Sequence, residues 1–147
     1  MVIGIIGENC AGKSTLAKRI RDEIGAEAIS GKDYLRMAKT EAEARRLFRE
    51  KLAGAVNGDN IIYVISEPDQ LELLPEGAVR ILVSTDLDTI KARFSERMHG
   101  ALPAPVERML ERRHGMFDNG SYDFRFDGAF GDAAALCVEL RRFVDHG

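Results

Sequence analysis

The segment Gly7-Glu8-Asn9-Cys10-Ala11-Gly12-Lys13-Ser14-Thr15 fits G-x-x-x-x-G-K-[ST], a spacing that builds a cradle for polyphosphate. Its glycines let the backbone curl until several N–H groups converge on one anion. Lys13 brings positive charge to the β- and γ-phosphates, and the Ser14 hydroxyl can ligate Mg²⁺. All nine residues from Gly7 to Thr15 are therefore expected nucleotide contacts. Cys10 reads either as a small residue at a variable position or as a redox-sensitive thiol.

Such a cradle needs a strand before it and a helix after it, and both are present. Val2 to Ile6 is apolar throughout. Leu16, Ile20 and Ile24 recur at helical spacing until Gly25, an expected C-cap. Further strands are expected near Glu27 to Ser30, at Ile61 to Ser66, at Val79 to Ser84 and at Tyr122 to Phe126. Helices fill the intervals: one or two between Asp33 and Val56, then Thr89 to Met98 and about Val106 to Arg113. The last, Ala133 to Val144, is amphipathic with Leu136, Leu140, Phe143 and Val144 inward. The break His99-Gly100-Ala101-Leu102-Pro103-Ala104-Pro105 marks a short lid around residues 98–106. Strands alternating with helices imply right-handed crossovers and a five-stranded, mainly parallel sheet.

The 147 residues suit a single domain. A net charge of −3 provides no broad basic surface, so nucleic acid is not an expected partner and polynucleotide 5′-kinase activity is disfavoured. Two cysteines form no disulfide framework, and no leader or membrane-length apolar run occurs, so no membrane partner and a cytoplasmic location are expected. His99, His114 and His146 lack metal-ligand spacing and read as surface or lid residues.

No Asn-Lys-x-Asp guanine-reading motif and no ATP-cassette signature accompany the loop, and the chain is shorter than most motor or AAA-type modules. In its loop and element order it resembles the P-loop small-molecule kinases, the superfamily of nucleotide, nucleoside, shikimate and gluconate kinases. That resemblance implies a three-layer α/β/α fold with strand order 2-3-1-4-5, ATP and Mg²⁺ as cofactors, and phosphoryl transfer to a small, anionic acceptor. The Asp-Gly-[Phe/Tyr]-Pro-Arg pattern of adenylate-kinase-like enzymes is missing, which weakens assignment to the nucleoside monophosphate kinases.

The resemblance gives roles to further residues. Asp33, just after the second strand, stands where such kinases hold the acceptor or its hydroxyl; as a helix N-cap it would serve structure instead. Glu67, ending the third apolar run, resembles a loose Walker B acid for Mg²⁺, or is a solvated loop carboxylate. Arg93 and Arg97, four residues apart before the lid, would stabilise the transferring phosphoryl group, with Arg108, Arg112 and Arg113 beyond it. Their alternative is a solvated helix face. Arg36, Lys39, Arg45, Arg46, Arg49 and Lys51 would cover the acceptor pocket, or interleave with Glu41, Glu43 and Glu50 on the surface. The loop Gly128 to Asp132 would offer backbone contacts to adenine. A nucleotide-binding regulatory or interaction module with little transfer activity is the rival reading. Oligomeric state and the choice of ATP over GTP stay open.

Overall fold

The computed structural model describes the backbone of residues 1–146 and the side chains of residues 1–143. The expectations for Val144 and His146 fall on side chains outside the described residues. Five strands, β1 (Val2–Ile6), β2 (Glu27–Ser30), β3 (Ile61–Ile65), β4 (Val79–Ser84) and β5 (Phe124–Asp127), alternate with five helices. These are α1 (Lys13–Ile24), α2 (Glu41–Ala55), α3 (Leu87–Arg97), α4 (Ala104–Arg113) and α5 (Ala133–His146). The sheet has the expected order β2-β3-β1-β4-β5. Every pairing is parallel, where the sequence implied only a mainly parallel sheet.

The apolar runs explain the layering. β1 and β3 are buried at every position, as central strands covered on both faces must be. Pairing from Val2↔Ile61 to Ile6↔Ile65 sends alternate residues to opposite faces. Val2, Ile6, Tyr63 and Ile65 pack with Phe48 and Leu52 of α2 on one face, while Ile3, Ile5 and Val64 pack with Leu16 and Ile20 of α1 and Leu136 and Leu140 of α5 on the other. Phe143, expected inward, is 42% exposed and only lays its ring edge against Phe124. No helix among the described residues is long and apolar enough to cross a membrane.

Boundaries differ from the sequence expectation where caps decide them. α3 starts at Leu87 rather than Thr89 because the Asp86 carboxylate accepts the Thr89 N–H at 2.9 Å. α4 starts at Ala104, taking Pro105 into its first turn, where a missing N–H costs nothing. The lid break shortens to residues 98–103 accordingly. The segment after β2 splits into a 3₁₀ turn, Asp33–Met37, and α2, whose N-cap Thr40 accepts the Glu43 N–H. β5 starts at Phe124 because Tyr122 turns its hydroxyl to the Phe117 carbonyl, 2.5 Å away.

Phe48 shows how the core supports the site. It is fully buried, stacked on Tyr34 at 5.2 Å and edge-on to Tyr63 at 4.8 Å. Phe48→Ala is expected to destabilise the protein by about 3–5 kcal/mol, read from urea denaturation. The Tyr63 hydroxyl, which holds the Gly31 carbonyl at 2.7 Å, would lose its backing.

Candidate functional site

The phosphate loop leaves the C-terminal end of the central strand β1 and enters α1 at Lys13. Open α/β sheets bind ligands at this crevice, outside the carboxyl ends of their strands. The first-turn amides of α1 have no upstream helical carbonyl, so they and the helix dipole face any anion placed before the helix. Gly12 adopts φ 108°, and a Cβ there would stand 2.8 Å from the Gly128 carbonyl oxygen. Only glycine meets both conditions at once.

Lys13 is only 6% exposed, and its ammonium donates to the Glu8 carbonyl at 2.6 Å. Burial draws its pKa down to about 8; Arg97 pushes the same way, while Cys10, Glu8 and Glu67 oppose it. The ammonium is thus held on the loop's own backbone. A cleft of about 290 Å³ opens beside it, with Asn9, Lys13 and Ser14 on one side, Ser30, Gly31 and Ser66 on another, and Arg97 at the edge. Phosphate loop and β2 exit therefore share one cavity.

Neither expected acidic residue lines that cavity, though each follows a residue that does, Gly31 or Ser66. Asp33 is exposed two residues beyond Gly31, and Lys32, not Asp33, occupies the N-cap position of the 3₁₀ turn with no side-chain capping bond. The capping alternative for Asp33 is not realised. Glu67 follows β3 as expected, but its carboxylate is paired with Arg113 from the end of α4. Ser14 is exposed on the cleft wall. Among the described residues no three His, Cys, Asp or Glu side chains stand together as a metal cage. A Mg²⁺ ion here fits one hydroxyl, one carboxylate, water and phosphate oxygens, the donor set that ion favours. Arg113 engages Oε2 of Glu67, which leaves Oε1 as the oxygen that could join that set.

Arg93 and Arg97 do different things. The Arg93 guanidinium donates to the Cys10 carbonyl at 3.0 Å and the Gly128 carbonyl at 3.1 Å, tying the phosphate loop to the loop after β5. Arg97 is exposed at the cleft edge. Around α2, Arg46 pairs with Glu43 and Glu50, Lys51 with Glu27, and Arg45 with Glu72. Of these three only Arg46 pairs with the acids of its own helix; Arg45 is half-buried, with a guanidinium N–H also donating to the Tyr34 hydroxyl. Arg36, Lys39 and Arg49 have no acidic partner among the described residues.

Between α1 and the loop after β5 lies a second cleft of about 430 Å³, walled by Gly12, Thr15, Phe126, Gly128 and Ala129. Asp127 shapes that loop by accepting the Ala129 and Phe130 N–H groups at 2.7 and 3.0 Å. The Gly128 and Gly131 amides are also bound internally, to the Ser84 and Asp127 carbonyls. Four of the five amides from Gly128 to Asp132 are thus occupied, and so are the Gly128 and Asp132 carbonyls, which accept from Arg93 and the Leu136 N–H; the carbonyls of Ala129, Phe130 and Gly131 remain as backbone acceptors.

Two features escaped the sequence reading. The Glu8 carboxylate is buried and bound by His114 and the Gly115 amide, each at 3.1 Å. A carboxylate inside an anion-binding loop was the signal: buried there, it demands partners. The other is the Cys10 side chain. It is buried within the apolar cluster of the α3–α4 hairpin, against Ile90, Leu110 and Phe94, and its own φ is 64°.

No family model and no curated protein matches the chain. Solved structures do match in fold. A sugar kinase from Janibacter sp. aligns over 98% of this chain and 94% of its own with TM-score 0.65 and 19% identity. A shikimate kinase from Acinetobacter baumannii, in complex with shikimate, aligns over 97% and 92% with TM-score 0.63 and 14% identity. A gluconokinase from Sinorhizobium meliloti aligns over 99% and 97% with TM-score 0.63 and 15% identity. The chain has the fold of the P-loop small-molecule kinases.

Proposed function

We propose that this protein is an ATP-dependent kinase that transfers the γ-phosphoryl group to a hydroxyl of a small, anionic acceptor. The observation that carries the reading is the single cleft joining Lys13 and Ser14 to Ser30, Gly31 and Ser66, which has room for a donor's terminal phosphate and an acceptor together. Lys13 and the loop amides hold the β- and γ-phosphates, and Ser14, with Glu67 through water, would hold Mg²⁺. When bound, that ion would neutralise phosphate charge. The acceptor oxygen bonds to the γ-phosphorus as the bond to the β–γ bridging oxygen breaks. ADP leaves, and the acceptor proton passes to Asp33. Arg97 and Arg113 meet the charge spread over the transferring group, while Arg93 holds the two nucleotide loops together.

The carbonyl-rich loop after β5 favours ATP. Carbonyl oxygens can accept from either base, from the adenine amine or from guanine N1–H and its amine, but the O6 of guanine would in addition need the amides that Asp127, Ser84 and the Asp127 backbone already occupy.

A panel of phosphorylatable metabolites assayed for acceptor-dependent ADP release tests the reading. At least one anionic acceptor is expected to raise turnover, more with ATP than with GTP. Asp33→Asn is expected to lower kcat by about 10²-fold or more with nucleotide affinity unchanged. The Arg113 hold on Glu67 favours a second reading, a regulatory module that binds nucleotide without transferring it. Tight nucleotide binding with no acceptor-stimulated turnover, and no response to Asp33→Asn, would select that module instead.

A further inference from the structure

We propose that Glu8 and His114 form a positioning pair, which seats the end of α4, and with it Arg113, on the phosphate loop. The inference rests on the phosphoryl-transfer reading and deepens it. Glu8 is 8% exposed in a loop built for anions, and a carboxylate there is tolerated only when its oxygens are bound. One oxygen faces His114 Nδ1 and the other accepts the Gly115 N–H, each at 3.1 Å. The carbonyl of the same residue accepts the Lys13 ammonium at 2.6 Å. Main chain and side chain of Glu8 thus hold the phosphate-binding lysine and the chain returning from the α3–α4 hairpin.

What the pair fixes is Arg113, the residue just before His114. Its guanidinium sits on Glu67, the residue that follows Ser66 of the cleft wall, so it stands beside the Ser66 wall of the cleft. Gly115, at φ 78°, turns the chain sharply once the contact is made. The hairpin has two other attachments to the loop, Cys10 in its apolar cluster and Arg93 on the Cys10 carbonyl. Both lie nearer α3. The Glu8 contact is the one at the Arg113 end, and loosening it lets Arg113 swing while the loop keeps its shape.

The test titrates the intact protein with MgADP and with MgAMP-PNP by calorimetry and compares the two dissociation constants. Glu8→Ala and His114→Ala are expected to reduce the preference for the γ-phosphate analogue by about tenfold, with MgADP affinity within about twofold of wild type. Glu8→Gln, which retains an acceptor and the packing, should lose about threefold and covers the case in which Glu8→Ala fails to fold. The conservative variants decide the route. His114→Asn presents an N–H where Nδ1 stood and should rescue the preference; His114→Gln presents one where Nε2 stood and should not. Amide exchange at Gly115 should quicken in Glu8→Ala and remain slow in His114→Asn.

An unchanged preference in both Glu8 variants overturns the proposal, as does parallel weakening of both nucleotides, which would make Glu8 a shaper of the loop alone. Rescue by Gln rather than Asn overturns it too, in favour of direct contact through Nε2. If the preference responds as stated but no acceptor yields ADP, the kinase reading fails and the positioning pair stands. If wild type binds neither nucleotide, both fall.

Discussion

Lys13→Met is expected to weaken nucleotide binding by about a hundredfold while the nucleotide-free protein melts no lower than wild type at pH 7. A charge-assisted bond to phosphate contributes about 1.5–3 kcal/mol, and 1.4 kcal/mol is tenfold in affinity. The stability half follows from burial. Desolvation holds the folded-state pKa of Lys13 near 8, below its ordinary 10.5, so keeping it charged opposes folding at pH 7. Between about pH 8 and 10.5 the unfolded chain binds the proton that the folded chain has released, and stability from this group rises with pH across that window. Methionine fills much the same space without a charge and removes that slope. The negative charge of a bound triphosphate outweighs the desolvation and raises the pKa, so nucleotide binding should take up protons at pH 8–9. Calorimetry in buffers of different ionisation enthalpy measures that uptake, and thermal melts from pH 7 to 10 measure the slope. Undiminished nucleotide affinity in Lys13→Met would remove the loop from the nucleotide site.

What the residues disclosed in advance, and what they hid, divides by the range of the interaction. β1 and β3 were legible because five consecutive apolar residues leave few alternatives to a covered central strand, a mainly parallel sheet followed from the alternation of elements, and the strand order was implied by the resemblance to the P-loop small-molecule kinases. The Gly7–Thr15 motif could be read at all because its residues are contiguous in the chain, and the strand before it and the helix after it stand where it required them. Asp33 and Glu67 could be placed at strand ends, but their partners could not. Whether Glu67 faces solvent or Arg113 depends on a contact spanning 46 residues, and Glu8 meets His114 across 106. No periodicity encodes such pairs. Arg93 illustrates the limit: its spacing from Arg97 put both on one helix face, yet two carbonyls brought close by the backbone bind Arg93 and leave Arg97 at the cleft. Charge and spacing nominated the arginines; three-dimensional packing assigned their work.

Gly128→Ala is expected to disable the nucleotide site through backbone alone. A Cβ at Gly128 would lie inside the van der Waals radius of the Ala11 carbonyl oxygen, and the Gly128 carbonyl already crowds Gly12. The obstacle on each side is main chain, which cannot swing aside as a side chain can. Gly128 is also fixed from behind, its N–H held by the Ser84 carbonyl at 2.8 Å. The two loops must separate, and Arg93 then cannot reach both the Cys10 and Gly128 carbonyls. Overpacking of this kind costs about 1–3 kcal/mol, and a displaced phosphate loop should cost about 10- to 100-fold in nucleotide affinity. Gly25→Ala separates the two effects. Gly25 sits at φ 68° at the far end of α1 with open space around it, so alanine there should cost about 1 kcal/mol and leave nucleotide binding untouched. Urea denaturation and titration with a fluorescent ATP analogue read both quantities on both variants. Normal affinity in Gly128→Ala would mean that the loop after β5 and the phosphate loop do not act as one nucleotide site, because no rearrangement of side chains alone can accommodate that methyl group.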